Sequence, residues 1–495
     1  MTARAARSSK RRRQAKATAF VLTTLSLGLA QKEARAGGLY VNDRGVRANG
    51  RGGAFVAGAD DADAMWYNPA GLNEAGRSVF FDVMVPFYSS SFQRKSRIID
   101  ASGNPVTLNF PKVESSAAPL PMPKLALTIP FGEKKELTAG FTIGVPFGPY
   151  SAVLSYPESV NGQPSPSRYS LISMDGSLLL NIGATIAFAP AKWLQVGAGV
   201  QLLAGSFSTK VVFNANPNDR LIGAPEDPQY DATTQLNAAP ILSPSANIGI
   251  TLIPIPEVRI GFSAQAPYIV SAPGNIQVKL PQASIFDNAY QSGEDVRIKF
   301  NLPAIFRVGV EVRPVPRLRA EIALVREQWS THHSISVESQ NVNLNNVTGF
   351  PETFRILNTS LVRQHQNANS YRLGGEYRVD LDKRTKDDPK KQTIDLRLGI
   401  RYEESAVPVN YVTPLTIDSN KFVLSGGAGF NVNERWRIDA SVTALLFGTI
   451  EVAPEDARVG KVNPVVGNPT TLEAVNGGTY TAFDLMVGAG LNYKW

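Results

Sequence analysis

The C-terminal residues alternate strictly in polarity. Phe483, Leu485, Val487, Ala489, Leu491, Tyr493 and Trp495 stand against Asp484, Met486, Gly488, Gly490, Asn492 and Lys494. A strand places successive side chains on opposite faces, so this stretch has one apolar face and one polar or small face. The same period sets Ile394, Leu396, Leu398, Ile400 and Tyr402 against Asp395, Arg397, Gly399, Arg401 and Glu403. Just before it, Tyr371, Leu373, Gly375, Tyr377 and Val379 oppose Arg372, Gly374, Glu376, Arg378 and Asp380. Pairing these two strands would bring opposite charges side by side.

Fourteen such segments are predicted, near 77–94, 121–131, 137–155, 169–190, 193–213, 236–254, 257–272, 295–313, 317–339, 359–381, 391–405, 421–433, 435–452 and 479–495. Tight connections ("GEKKE", "PAK", "PIP", "PVP", "NE") alternate with long ones at 95–120, 156–168, 214–235, 273–294, 340–358, 406–420 and 453–478; "DKRTKDDPK" at 382–390 is a moderate exception. An even strand number with loop lengths sorted by side predicts an all-β fold, a 14-stranded antiparallel transmembrane β-barrel over 77–495. A soluble sandwich would also bury one face, but gives no reason for the sorting. The closing Trp495 suits the aromatic C-terminus of such a barrel and its recognition by the barrel-assembly machinery.

Composition first points elsewhere. A net charge of +8 suggests nucleic acid, yet the first 36 residues hold nine basic side chains and one acidic, which leaves 41 of each sign. The same segment has a basic start, an apolar run from Ala17 to Ala30 and the triplet Ala34-Arg35-Ala36. That is the layout of a secretory signal peptide over 1–36, cleaved after Ala36; a basic tail would explain neither the run nor the triplet. The chain contains no cysteine, so an exported fold must be held without disulfides, as a closed sheet can be.

Residues 37–76 are rich in Gly, Ala and Asp and too irregular for strands. A segment of that length ahead of the first strand can fill a lumen as a hatch. Within it, "WYNPAG" contains an Asn-Pro step, which biases Asn68 away from helix and favours a turn. The third strand contains Gly144, Val145, Pro146, Phe147, Gly148 and Pro149. Proline cannot donate to a ladder, so pairing should break there, either as a kink or as an early strand end. The long loops carry Leu221, Ile222, Leu280, Ile285 and Phe286, which serve either as an exposed binding groove or as ordinary loop anchors. The alternation assigns Arg297, Lys299, Arg307, Glu311, Arg372, Glu376, Arg378, Arg397 and Arg401 to the lumen, a surface that an apolar ligand would avoid.

The run "AFVAGADDADAMWYNPAGL", with "LPAIFRVGVEVRPVPRLRAEIALVREQWS" at 302–330, "YRLGGEYRV" at 371–379 and "LRLGIRYEESAVP" at 396–408, resembles the FadL/TodX family of long-chain fatty-acid transporters over essentially the whole mature chain. The resemblance makes Asn68, Pro69 and Ala70 the hatch motif and puts Gly37, Leu39 and Tyr40 at the substrate-touching end of the hatch. It implies outer-membrane uptake of hydrophobic compounds, either fatty acids or aromatic hydrocarbons, with sideways exit into lipid at the kinked third strand. No cofactor, metal or nucleic-acid partner is implied, and a monomer is expected. The family's fatty-acid carriers hold the carboxylate with basic residues; here Ser206 and Ser336 fall near those places and only Lys210 lies close, which leaves room for uncharged hydrocarbons.

Catalysis finds little support. His332, His333 and His365 are the only histidines; Ser330 and Ser334 are near two of them, but no G-x-S-x-G elbow occurs. Three histidines without cysteine are too few and too poorly spaced for zinc, and "NGRGGAF" lacks the phosphate-loop lysine. A general diffusion porin would suit a charged lumen but not a forty-residue plug. An adhesive barrel binding partners through its loops is the weaker rival.

Overall fold

The computed structural model describes residues 43–99, 102–132, 136–145, 154–217, 226–381, 392–465 and 474–495. Residues 1–36, expected to be a signal peptide, and Gly37, Leu39 and Tyr40 lie outside them.

Fourteen antiparallel wall strands form a closed ring among the described residues. They are β1 (Ser78–Ile99), β2 (Pro105–Glu114 and Met122–Phe131), β3 (Leu137–Gly144), β4 (Leu178–Ala191), β5 (Leu194–Asn214), β6 (Asp231–Ile255) and β7 (Val258–Gln265 and Tyr268–Lys279). Then come β8 (Asp295–Leu302 and Ile305–Val315), β9 (Leu318–Glu327 and Ser334–Ser339), β10 (Thr359–Val362 and Ala368–Asp380), β11 (Thr393–Glu403), β12 (Lys421–Asn431), β13 (Trp436–Phe447 and Ile450–Val452) and β14 (Gly478–Lys494). The ring closes where β1 pairs with β14, from Ser78–Lys494 to Arg94–Gly478, so neither terminal strand is left as an open edge.

The outer face carries exposed Phe81, Leu125, Phe141, Ile186, Phe262, Leu373 and Leu424. Leu398 is 76% exposed, which suits contact with lipid rather than water. Trp193, Trp436, Tyr493 and Trp495 gather near the short-turn end, where Trp436 and Tyr493 rings lie 4.5 Å apart.

Two expectations are corrected. The segment 95–120 is not a loop: β1 continues to Ile99 and residues 105–114 pair back on it. Nor does the lumen keep one polarity. In β8, Val296, Ile298, Phe300 and Leu302 are buried above Pro303, whereas Ile305, Arg307 and Glu311 are buried below it. In β7 the buried set shifts from Arg259, Ser263 and Gln265 to Tyr268, Val270 and Ala272 across Ala266-Pro267. In β6 it shifts from Ala232, Thr234, Leu236 and Ala238 to Ile241, Ser243 and Asn247 across Ala239-Pro240. A proline cannot join the ladder, and a shift of one residue moves every following side chain to the other face. Arg297 and Lys299 therefore point outward, with Lys299 Nζ 2.7 Å from Glu338. The upper lumen is apolar and the lower lumen charged.

Candidate functional site

The hatch occupies the lower lumen. It contains two short helices, α1 (Val46–Gly50) and α2 (Ala64–Tyr67), followed by a 3-10 turn at Pro69–Glu74. Asn68 caps that turn: its Oδ1 accepts the Ala70 N–H at 3.2 Å. Its Nδ2 donates to the Val56 carbonyl (2.9 Å) and to Thr251 Oγ1 on β6 (3.0 Å). The neighbouring aromatics are used too. Arg44 stacks on Trp66 at 3.2 Å, and the Tyr67 hydroxyl donates to Asp43 at 3.2 Å.

Charges assigned to the lumen meet the hatch rather than water. Arg51 contacts Glu311 (3.0 Å) and Glu321 (3.3 Å), all three fully buried. Arg47 reaches Glu376 at 3.0 Å and Asp60 at 2.6 Å. Asp43 binds Arg372 and Arg401, and Arg319 holds Asp60 at 2.6 Å. Burial opposes ionisation of Asp60, but the guanidinium groups of Arg319 and Arg47 keep its carboxyl well below the usual range. Arg397 pairs with Glu376 and Asp439, both at 2.7 Å. The half-buried Arg378 pairs with Asp395 (2.7 Å). Below the hatch, a vestibule of about 480 Å³ has a largely charged lining.

Among the described residues of the third strand, regular pairing runs to Gly144, opposite Lys124 and Asn181, and one more bond runs from the Val145 N–H to the Pro123 carbonyl (3.2 Å). Pro146, Phe147, Gly148 and Pro149 lie outside the described residues. Both neighbours lose regular ladder at the same height: β2 is interrupted over 115–121 and β4 begins only at Leu178. Above this level, Ser116 N–H donates to Ser155, Tyr156 N–H to Ile172, and Ile172 N–H to Lys210. Lys124 also joins the hatch to the wall here, contacting Asp63 and lying 2.9 Å from Asp82.

Above the hatch lies a chamber of about 200 Å³, walled by Phe207, Val211, Leu236, Ile335, Leu361 and Val462. A smaller apolar cavity under the long loops shares Leu357, Thr359 and Pro464 with it. Leu280 and Phe286 line that outer cavity, and Ile285 packs in the same cluster; Leu221 and Ile222 lie outside the described residues. Ser206, Lys210 and Ser336 do not line the chamber. Ser336 lies between buried Ile335 and Val337, on the opposite face of the strand, and Lys210 is bound to the exposed Glu158. The basic residues in the chamber wall are the buried Arg363 and Lys461 and the exposed Arg458; Arg363 follows Val362 beyond the end of a strand and gave no sequence signal.

His332 and His365 are buried 4.7 Å apart beside Trp329, and His332 Nδ1 lies 2.7 Å from the Asn301 carbonyl. Among the described residues, no group of three or more His, Cys, Asp or Glu could hold a metal.

A search of curated proteins finds no match. Among solved structures, a FadL homologue of Pseudomonas aeruginosa is similar with a TM-score of 0.67 at 14% identity, covering 92% of this chain and 100% of that one. The Pseudomonas putida toluene transporter TodX gives 0.60 at 13% identity, covering 92% and 99%. The Ralstonia pickettii toluene transporter TbuX gives 0.55 at 16%, also covering 92% and 99%. At these identities the likeness establishes the fold. Residues 27–482 match the sequence family described as outer membrane protein transport protein (OMPP1/FadL/TodX), and the chain therefore belongs to that family of outer-membrane β-barrel transport proteins.

Proposed function

We propose that this chain takes up hydrophobic compounds, long-chain fatty acids foremost, by diffusion across the outer membrane. The ligand is received at the loop cavity, held in the chamber above the hatch and released sideways into lipid at the third strand. The two-zone lumen carries this reading. An apolar chain gains by leaving water for the upper chamber, whereas displacing buried ion pairs below would cost more than it returns. Two apolar cavities in series, with shared walls, favour an elongated molecule. An aromatic hydrocarbon is the second reading, supported by a lining that would accept a ring. Sideways release is supported by the interruption of β2 over 115–121 and the late start of β4 at Leu178, on either side of the third strand. Trp495 is the expected contact for barrel assembly, and the barrel works as a monomer.

The test is uptake of labelled oleate and labelled toluene by cells with an intact outer membrane. Wild type is compared with a variant whose 144–149 segment is replaced by a regular alternating strand. Loss of uptake from a correctly folded barrel supports the side exit, and the substrate that is lost names the class. Unchanged uptake removes that mechanism; passage of sugars with neither hydrophobe moves the reading to a porin.

A further inference from the structure

Above the apolar band, the outward face of three neighbouring strands becomes polar. On β5, β6 and β7 that band holds Val200, Leu242, Ile248 and Ile269, each at least 60% exposed. Further up, the side chains that alternate with buried Thr234, Leu236 and Ile276 are polar and lie in cross-strand rows. Ser208, Asn237 and Asn275 form one row and Lys210, Gln235 and Gln277 the next, with Thr233 beside Lys279 above them. The Ser208 hydroxyl donates to Asn237 Oδ1 and accepts from Gln235 Nε2, both at 2.8 Å. Asn237 Nδ2 donates to Asn275 Oδ1 at 2.9 Å. The upper rows line an open hollow of about 780 Å³, together with Gln291, Gly293 and Glu294 of the long loop that follows β7. Gln291 is fixed there by the Val278 N–H (2.9 Å) and the Ile276 carbonyl (2.8 Å), and Gln277 Nε2 donates to Glu294 at 3.3 Å. Lys279 is exposed. Lys210 is paired with the exposed Glu158, a contact worth little in water.

We infer that this hollow binds the phosphorylated saccharide head group of a glycolipid in the outer leaflet. The long loops of an outer-membrane barrel face away from the cell, so the hollow stands on the outer-leaflet side. Between Ile269 and Gln277, β7 climbs about 20 Å at the usual strand tilt. A phospholipid head group fills only about 5–8 Å of each leaflet and ends well below the amides. A head group of several sugars spans that height. The chemistry agrees: each side-chain amide offers donors and an acceptor that match neighbouring sugar hydroxyls, and Glu294 is a further acceptor. Lys279 supplies charge for a phosphate, which can also take Lys210 from Glu158. Binding there is independent of the compound that the lumen carries.

The experiment is native mass spectrometry of the mature barrel in detergent, titrated with deep-rough lipopolysaccharide, which is lipid A with its first acidic sugars. Enzymatically dephosphorylated lipopolysaccharide and phosphatidylglycerol are the comparison probes. Wild type should hold the phosphorylated molecule roughly ten- to hundredfold more tightly than either, the range for a hydrogen bond to a charged group. Lys210→Gln with Lys279→Gln should remove that preference and leave phosphatidylglycerol unchanged. Gln235→Ala with Gln277→Ala should weaken both forms of lipopolysaccharide by the same factor, because amides read the sugars and not the phosphate. Equal affinity of the wild type for all three lipids overturns the site, as does unchanged lipopolysaccharide binding by the lysine variant with its heat-modifiable fold intact. Full displacement by an equal concentration of inorganic phosphate would reduce the hollow to an anion site and overturns the saccharide. Should the lysine variant fail to fold, the wild type still decides: no preference for the phosphorylated over the dephosphorylated probe overturns the inference.

Discussion

Gly197 and Gly249 face each other across β5 and β6, and the Asn68-Pro69 step of the hatch lies in the hollow between them. A Cβ on Gly249 would sit 2.1 Å from Asn68 Oδ1, and one on Gly197 2.4 Å from the Pro69 carbonyl carbon. The arrangement repeats around the lumen. The cross-strand pair Gly261–Gly309 receives Val56 and Ala57, and the pair Gly374–Gly399 receives Arg51 and Gly52. Hatch backbone thus rests directly on wall backbone at three places where any side chain would intrude.

Gly249→Ala should therefore destabilise the folded barrel by about 1–3 kcal/mol, the usual cost of forcing extra atoms into a packed interior. Gly426→Ala is the control, because its Cβ would meet nothing closer than 3.9 Å. Urea unfolding in detergent, followed by the heat-modifiable gel shift, compares the two. Equal midpoints would show that the Asn68 turn does not need the hollow.

The buried triad makes a sharper prediction. Glu321 accepts the N–H groups of Val56, Ala57 and Gly58 at 2.6, 2.9 and 3.0 Å, and shares Arg51 with Glu311. Arg51→Met leaves two carboxylates without that cation, a loss of roughly 3–5 kcal/mol by analogy with broken buried pairs. Adding Glu311→Gln should recover part of it, since the like charge beside Glu321 is removed while Glu321 keeps its backbone donors. A double mutant no more stable than the single would show that Glu311 is adequately held by Arg313 and Arg319, at 2.8 and 3.0 Å.

The histidine pair links stability to pH. Burial pulls His332 down to about 4 and His365 well below its ordinary value, and the Arg363 charge pushes both the same way. An unfolded chain takes up these protons near pH 6.5, so the folded state binds fewer protons between that pH and about 4. The contribution to stability is therefore complete above about pH 6.5 and is lost as pH falls towards 4. His332→Phe with His365→Phe should flatten the stability slope between pH 7 and 4.5 relative to wild type. Parallel slopes would show that carboxylates elsewhere govern the acid limb.

Much of the wall was legible because lipid on one side of a strand forces period two. β11, β12 and β14 are found where alternation places them. Legibility ended where the outer face leaves the apolar band: Pro105–Glu114 has mostly exposed residues of mixed type, so its pairing with β1 left no periodic mark. Arg297 and Lys299 were placed inside because the alternation was carried unchanged through Pro303, where the faces swap. The glycines at 249, 261, 309, 374 and 399 sit at inward positions; Gly374 and Gly399 were set on the polar faces of their strands, and the other three drew no reading. Their recurrence on successive strands was the available signal of a backbone packed against the wall. Nothing in sequence marked Arg363, because the chamber it lines is assembled by distant strands and loops.

The hatch also decides what cannot pass. Ion pairs joining it to the wall reach several strands, including Arg51 to Glu311 and Glu321, Arg47 to Glu376, and Asp43 to Arg372 and Arg401. A polar solute would have to break such contacts, and each broken buried pair leaves an uncompensated charge. Purified wild type in planar bilayers should therefore conduct poorly and should not release sugars from liposomes. Removing residues 43–76 exposes Glu311, Glu376, Arg372 and Arg401 to lumen water, which can solvate them, while the β1–β14 closure remains. That variant should keep its heat-modifiable fold and conduct as an open polar barrel does. Sugar flux through the wild type at the level of the hatchless variant would sink the plugged-barrel reading and restore the diffusion porin. Closure in both would mean that the long loops, rather than the hatch, bar the lumen.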